Sequence, residues 1–242
     1  MKMLIDKKWI RSATATVTLS LILLLMLSML GLTGCRDADR SSGRKQALNE
    51  PRLVVEKVIV NSDKDGDGIL DLDDIVEGAR KDARAKPVYK DAYYAGGYPP
   101  DNEGVCTDVI WRAFKSAGYD LKGMMDRDIE AHPGDYPRVG GMPEPNIDFR
   151  RVPNQEAYFK KYANVLPVEI KPWDPENLKQ WQGGDIVVYG PPYDHIGIVS
   201  DQRRLDGVPL LIHNAGPWTK EDNRLLTWPS PLKYHFRYPN PD

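Results

Sequence analysis

Cys106 lies where a predicted helix begins, a position at which a cysteine can act as a nucleophile. In "EGVCTDVIWRAF", Cys106 opens a pattern in which Ile110, Ala113 and Ala117 recur at helical spacing, which predicts a helix with one apolar stripe. Free backbone N–H groups and the positive end of the dipole favour a thiolate in the first turn, and such sites lower a thiol pKa from about 8.5 toward 7. The sequence also allows a small buried cysteine that only packs.

Two histidines lie in neighbouring apolar segments. "GGDIVVYGPPYDHIGIVSD" predicts two short strands joined by a turn, the second beginning at His195, with Gly197 on the same face as His195. In "VPLLIHNAG", His213 ends a third strand and Asn214 points the opposite way. A cysteine on a helix and polar residues on neighbouring strands allow a nucleophile, a base and an orienting residue. A zinc site is the alternative, although the spacing lacks a closely paired ligand motif.

Other polar and aromatic residues allow weaker predictions. Asp148, Arg150 and Arg151 form a charged cluster that could hold a substrate carboxylate, or an internal salt-bridge network. His132 and His235 are predicted to lie in loops or on the surface. Three tryptophans in loop-like stretches could line a glycan-binding groove, but packing is the more usual role: Trp173, Trp181 and Trp218.

The segment "DKDGDGILDLDD", residues 63 to 74, resembles an EF-hand calcium loop. A glycine at the sixth position allows the sharp turn around the ion, and carboxylates or backbone oxygens fall at the ligand positions. The predicted ligands are Asp63, Asp65, Asp67, Ile69, Asp71 and Asp74. The twelfth residue is Asp where Glu is usual, as in dockerins and thrombospondin-type repeats, which predicts a structural Ca²⁺ site of modest affinity. A solvated acidic turn is the alternative.

Several separate blocks resemble known families. "YYAGGYPPDNEGVCTDV", "GGDIVVY", "DHIGIV" and "LIHNAG" resemble, in order, segments of the NlpC-type cysteine peptidases. "GVCTDVIWRAF", "NIDFRRVPN", "HIGIV" and "IHNAG" resemble more closely an uncharacterised bacterial family, domain of unknown function 1287. The resemblance implies an α+β, papain-like fold in which the nucleophile helix packs on a small antiparallel sheet.

The same resemblance implies roles for individual residues. Cys106 matches the nucleophile, His195 the general base, His213 the orienting residue and Tyr93 a tyrosine of the oxyanion site. Asn214 is the alternative orienting residue, because a shift of one residue in strand register exchanges the faces of His213 and Asn214. The implied reaction is cleavage of an amide, such as one in peptidoglycan stem peptides, through a thioester and without a cofactor in catalysis. A binding protein without catalysis and an acyltransferase are the competing hypotheses.

The start of the chain resembles a lipoprotein signal. Basic residues precede an apolar run that ends in "LTGC", so Cys35 is the expected site of lipidation. An uncleaved membrane anchor is the alternative, and both tether the protein to a membrane outside the cytoplasm. Arg36 after the cysteine predicts the outer membrane, facing the periplasm, in a bacterium with two membranes, and otherwise the outer face of the cell membrane.

Composition limits the remaining possibilities. A net charge of -2 in 242 residues provides no basic field, so nucleic acid is not an expected partner. The sequence predicts four segments: a signal peptide over 1–35, a tether over 36–60, the calcium loop over 61–75 and a hydrolase domain over 76–242. The run "VVEKVIV" inside the tether is ambiguous between strand and helix.

Overall fold

The computed structural model describes residues 51–240, which form a mixed α+β unit. The α-helices are α1 (Asp71–Ala85), α2 (Cys106–Ser116), α3 (Leu121–Ala131), α4 (Val152–Tyr162) and α5 (Pro175–Leu178). The strands are β1 (Val88–Tyr89), β2 (Glu103–Gly104), β3 (Asn164–Leu166), β4 (Ile186–Tyr189), β5 (His195–Arg203), β6 (Pro209–His213), β7 (Lys220–Asp222) and β8 (Leu232–Arg237). Two short 3₁₀ helices span Pro133–Asp135 and Asp148–Arg150. The predicted α+β class is confirmed.

The main sheet has six antiparallel strands in the order β3-β8-β4-β5-β6-β7. In the hairpin of β4 and β5, Tyr189 lies opposite His195. Ile198 pairs with Ile212 on β6, and His213 pairs with Lys220 on β7. The predicted hairpin and third strand are therefore confirmed, with His195 opening β5 and His213 ending β6. The short strands β1 and β2 form a separate parallel pair.

Each face of the sheet covers its own apolar cluster, because side chains alternate along a strand. Ile196, Ile198 and Ile212 pack with the helices, and Val199 and Leu211 pack with the opposite cluster. Trp181 and His235 are fully buried and their rings stack at 3.8 Å, so the prediction of a surface His235 was wrong. Trp181 also packs rather than lining a groove, as apolar residues surround it.

Helix α2, which begins at Cys106, has the predicted form. Its apolar stripe is buried against α1 and the sheet, and a left-handed Gly118 (φ 74°) follows its end. Helix α1 buries Ile75 and Ala79 toward α2, as its periodicity predicts. The run at 54–60 is neither strand nor helix, because it finds no strand partner and its amide Val58 N donates instead to Oε1 of Gln182 at 3.2 Å.

Predictions for the first 50 residues, including Cys35 and the signal and most of the tether, lie outside the described residues. Among residues 51–240, each helix is too short or too polar to cross a membrane.

Candidate functional site

Cys106 is the first residue of α2, at the end of the sheet where β5 begins. Its thiol is partly buried against the helix-side core, and the backbone N–H of Ile196, the residue after His195, lies close enough to affect its ionisation. The helix start is fixed by Asp108, whose Oδ2 accepts a hydrogen bond from Val105 N at 2.8 Å. The start of the helix thus places the sulfur near the backbone of Ile196, the residue that follows His195 in the chain.

The pKa of the thiol differs from the sequence-based expectation. Burial raises the pKa of Cys106 to about 12, and the nearby Asp108 carboxylate raises it further, while the backbone N–H of Ile196 lowers it. The cost of burying a thiolate exceeds what the first helical turn supplies. A lowered thiol pKa was therefore the wrong expectation, and the resting cysteine is a neutral thiol.

His195, His213 and Asp222 form a continuous hydrogen-bonded chain. Nε2 of His195 lies 2.7 Å from Nδ1 of His213, and Nε2 of His213 lies 3.2 Å from Oδ1 of Asp222. A carboxylate only accepts hydrogen bonds, so His213 donates from Nε2 and accepts at Nδ1. His195 then donates from Nε2, which leaves Nδ1 as its basic nitrogen. Asp222 therefore fixes the tautomers of both imidazoles.

The pKa shifts along this hydrogen-bonded chain agree with the tautomers assigned to the two histidines. Burial, followed by the neighbouring His213, lowers the pKa of His195 well below 6.5. The hydrogen bond from His213 lowers the pKa of Asp222, so its carboxylate stays ionised. His195 is consequently a neutral imidazole at pH 7, the form that accepts a proton.

The imidazole of His195 lies on the sheet face opposite α2. Its ring stacks on Trp228, with 4.0 Å between centroids and 13° between planes. Among residues 51–240, no hydrogen bond joins Sγ of Cys106 to this imidazole, and the contact of the thiol with β5 is to the backbone N–H of Ile196. Gly197 leaves room for the histidine pair, since a Cβ there would lie 3.2 Å from Cβ of His213 and 2.9 Å from Leu211.

The structure distinguishes the two candidate orienting residues. His213 contacts His195, whereas Asn214 lies on the helix side. The amide Nδ2 of Asn214 donates to the carbonyl oxygens of Pro87 and Gly104 at 3.2 Å each. Asn214 is fully buried and joins the chain segments that flank Cys106.

The tyrosine beside the thiol is not the one that the resemblance indicates. Tyr93 is 59% exposed and its hydroxyl contacts Glu144 and Asn146. Tyr89 lies near the sulfur instead: burial raises the pKa of its hydroxyl, and its proximity to Cys106 raises it further. No motif in the sequence marks Tyr89, because β1 brings it to the site only by pairing with β2.

Asp148 and Arg150 of the predicted charged cluster are buried, and Arg151 is half-buried. Arg150 forms a bidentate ion pair with Asp108, with both N···O distances 2.8 Å and side-chain exposures of 1% and 0%. Oδ2 of Asp148 accepts Glu144 N at 2.6 Å, and Nε of Arg151 lies 3.6 Å from Asp148. For Asp148 and Arg150 the structure favours the salt-bridge network over the substrate site, because folding already satisfies their charges.

Replacing Arg150 with alanine should lower the free energy of unfolding by about 3–5 kcal/mol, because Asp108 would remain buried and unpaired at the start of α2. Arg84→Ala is a matched control: its pair with Glu77 is solvent-exposed, and its loss should cost less than about 1 kcal/mol. Urea unfolding of the three proteins measures the difference. Equal losses for the two variants would contradict the assigned role of Arg150.

The acidic loop before α1 gathers three carboxylates. Asp63, Asp65 and Asp67 offer oxygens within 4.8 Å of one another, in the one such group of metal-ligating side chains among residues 51–240. Asp74 lies beside them: burial, then the charges of Asp67 and Asp65, raises its pKa to about 6. Its Oδ2 is buried and has no hydrogen-bond partner. These carboxylates fit a hard divalent cation such as Ca²⁺.

Two other predicted ligands have different surroundings. Both oxygens of Asp71 are occupied, Oδ1 by Lys64 N at 2.8 Å and Oδ2 by the hydroxyl of Tyr119, so Asp71 anchors the loop and is not a free ligand. The backbone N of Ile69 donates to Oδ1 of Asp67 at 2.8 Å. The group contains neither Cys106 nor the histidines, so the geometry does not favour the zinc alternative.

Fold and site together define an α+β protein that carries a helix-borne cysteine beside a histidine pair backed by a carboxylate. Residues 76–238 match the family described as "Domain of unknown function (DUF1287)", and the chain belongs to that family. It is 37% identical over 172 residues to "Uncharacterized protein YijF" of Escherichia coli (strain K12), which covers 68% of this chain and 80% of the relative. No solved structure matches.

Proposed function

We propose that this protein is a cysteine hydrolase of the cell envelope with a papain-like domain, and that it cleaves an amide in peptidoglycan stem peptides. The hydrogen-bonded chain from Asp222 through His213 to His195 carries the proposal, because it leaves a basic Nδ1 next to the segment that contacts Cys106. Such a chain prepares an imidazole to take a proton from a nucleophile.

The resting state requires general-base catalysis. Cys106 and His195 are both neutral, so the proposed step requires the imidazole and Sγ to come into contact, after which Nδ1 of His195 removes the thiol proton as Sγ attacks the substrate carbonyl carbon. His195 then returns that proton to the leaving amine, and water hydrolyses the thioester. The backbone N–H of Cys106 and the hydroxyl of Tyr89 are the candidate donors to the oxyanion, for which one donor typically contributes about 3–4 kcal/mol.

Digestion of whole sacculi, followed by mass spectrometry of the soluble products, tests this proposal. The purified full chain should release new amine ends from stem peptides. The raised pKa of the thiol favours a second candidate, in which the same fold binds envelope peptides without cleaving them. Retained affinity for sacculi with no new amine ends would support that candidate. Transfer of the acyl group to an added amine, without hydrolysis, would instead indicate an acyltransferase.

We also propose that the loop over 63–74 binds a structural Ca²⁺ through Asp63, Asp65, Asp67, Asp74 and the carbonyl of Ile69. The loop packs against the end of the nucleophile helix, because a Cβ at Gly118 would lie 2.8 Å from Cβ of Asp65. Tyr119, which follows that helix, donates to Asp71 at 2.5 Å. A bound cation would offset repulsion among the carboxylates and so fix the far end of α2.

Calorimetry should detect Ca²⁺ binding to the wild type with a dissociation constant of about 1 mM or tighter. Asp74→Asn should weaken binding at least about tenfold, because it removes the negative charge of a carboxylate whose Oδ2 is buried and has no hydrogen-bond partner. Asp73→Asn is the control, since Asp73 pairs with Lys57 at 2.7 Å. Absence of heat with the wild type would contradict the calcium site.

A lipid anchor on Cys35 is part of the proposal. It would hold the domain through a polar tether at the outer membrane facing the periplasm, or at the outer face of the cell membrane in a bacterium with one membrane. Metabolic labelling with a fatty acid, compared between the wild type and Cys35→Ser, tests the anchor.

A further inference from the structure

A cavity of about 260 Å³ lies next to the histidine pair and is not used by the proposed chemistry. His213 and Trp228 form the wall shared with the catalytic chain. Trp218, Lys220 and Arg224 line the rest, together with Asp222. A ligand in this cavity would therefore contact residues that also position His195.

The wall of the cavity contacts the chain segment that carries Tyr89. Tyr89, the tyrosine beside Cys106, donates its backbone N–H to Pro217 O at 2.9 Å. A Cβ at Gly216, another residue of the cavity wall, would lie 3.6 Å from Cβ of Tyr89. Val88 forms a β-bridge with Trp218. The segment that carries Tyr89 therefore lies against the cavity wall.

The charges of the cavity favour an anion. Lys220 and Arg224 lack a carboxylate partner within 4.0 Å among residues 51–240, whereas Lys90 and Lys233 elsewhere on the surface have partners at 2.8 and 2.7 Å. Asp222 is the single carboxylate among the lining residues, and it already accepts a hydrogen bond from His213. The net charge of the lining side chains is therefore positive.

The ring of Trp218 lies close to two lysines. Nζ of Lys220 lies 5.6 Å and Nζ of Lys86 lies 6.0 Å from the centre of the Trp218 ring. Trp218 is 40% exposed, so a face of the indole remains available to the aliphatic part of a ligand. Cations around an apolar surface are typical of sites that bind a carboxylate attached to a short side chain or chain end.

We propose that this cavity is a substrate subsite for a peptide carboxylate, bound by Lys220 and Arg224 with Trp218 against its aliphatic part. The inference rests on the proposed function and deepens it: the substrate is a peptide that carries a free carboxylate near the amide that is cut. Neutral or amidated peptides are poorer ligands of the same site.

Binding is measured on the full chain with Cys106→Ala, so that the peptide is not consumed. The probes are a peptidoglycan stem tripeptide with a free terminal carboxylate and the same tripeptide as its carboxamide, titrated by calorimetry. The carboxylate form should bind at least about tenfold more tightly. Adding Lys220→Gln and Arg224→Gln should abolish this preference, and Lys171→Gln, an exposed lysine paired with Glu169 outside the cavity, should preserve it.

The outcomes separate this inference from the proposed function. Equal affinity for the two peptides, no binding of the carboxylate form, or a preference that survives the double substitution would overturn the subsite. Cleavage by the chain with native Cys106 is assayed in parallel on the same peptides. Cleavage without a carboxylate preference rejects the subsite alone, and a preference for the carboxylate without any cleavage rejects the hydrolase alone.

Discussion

Replacement of Cys106 by alanine should abolish the release of amine ends from sacculi, with a decrease in rate of at least about 10⁴-fold. The loss follows from chemistry, because the thioester cannot form without the sulfur. The fold should persist: the side chain is small and only partly buried, and Asp108, not Cys106, supplies the hydrogen bond at the start of α2. Product analysis by mass spectrometry, together with circular dichroism of each protein, measures both effects.

The second cysteine provides the control. Cys35→Ser removes the proposed lipidation site and keeps the domain, so the purified variant should cleave sacculi at the wild-type rate. Residual cleavage by Cys106→Ala above one hundredth of the wild-type rate would exclude Cys106 as the nucleophile. A decrease for Cys35→Ser equal to that for Cys106→Ala would likewise contradict the assignment.

Replacement of His213 by alanine should lower kcat by about 10²–10⁴-fold. The substitution removes the acceptor of the 2.7 Å hydrogen bond from His195 and disconnects Asp222, so neither the tautomer nor the orientation of His195 is fixed. Because the histidine acts through His195, the pH profile of kcat should change as well as its maximum. A stopped assay on a stem peptide across pH 5 to 9 measures both quantities.

Asn214→Ala is the matched control for His213→Ala, and it should act mainly on stability. Its loss removes two buried hydrogen bonds, but the carbonyl oxygens of Pro87 and Gly104 keep a second donor each, Thr219 N and Lys90 N, so the cost is about 1 kcal/mol per hydrogen bond. The kcat of the folded fraction should change less than tenfold. If Asn214→Ala changes the pH profile and His213→Ala does not, Asn214 orients the base and the assignment is wrong.

Local patterns in the sequence were sufficient for the elements that carry the site. The stripe after Cys106 predicted α2, and alternation around His195 and His213 predicted β5 and β6, because burial of one face imposes a period on each element. The acidic loop was also visible, since its glycines and carboxylates are close in sequence.

Contacts between segments far apart in the sequence placed the site residues that local patterns could not predict. Asp222 and Trp228 reach the histidines only because β7 pairs with β6, and "KEDN" has no pattern of its own. Tyr89, and not the predicted Tyr93, lies near the thiol, because the strand that carries Tyr89, β1, pairs with β2. The sequence shows Arg150 only as a charged residue, whereas the fold pairs it with Asp108, which is 42 positions away in the chain.

The sequence by itself determined the helix and strands that hold Cys106, His195 and His213, because those elements follow from local periodicity, whereas the roles of the three side chains were implied by the family resemblance. Only the tertiary structure decided how deeply Cys106 is buried, which nitrogen of His195 is basic, and which charged side chains remain free to bind a ligand. Those properties depend on desolvation and on hydrogen bonds between residues far apart in the chain, and no local spacing encodes them.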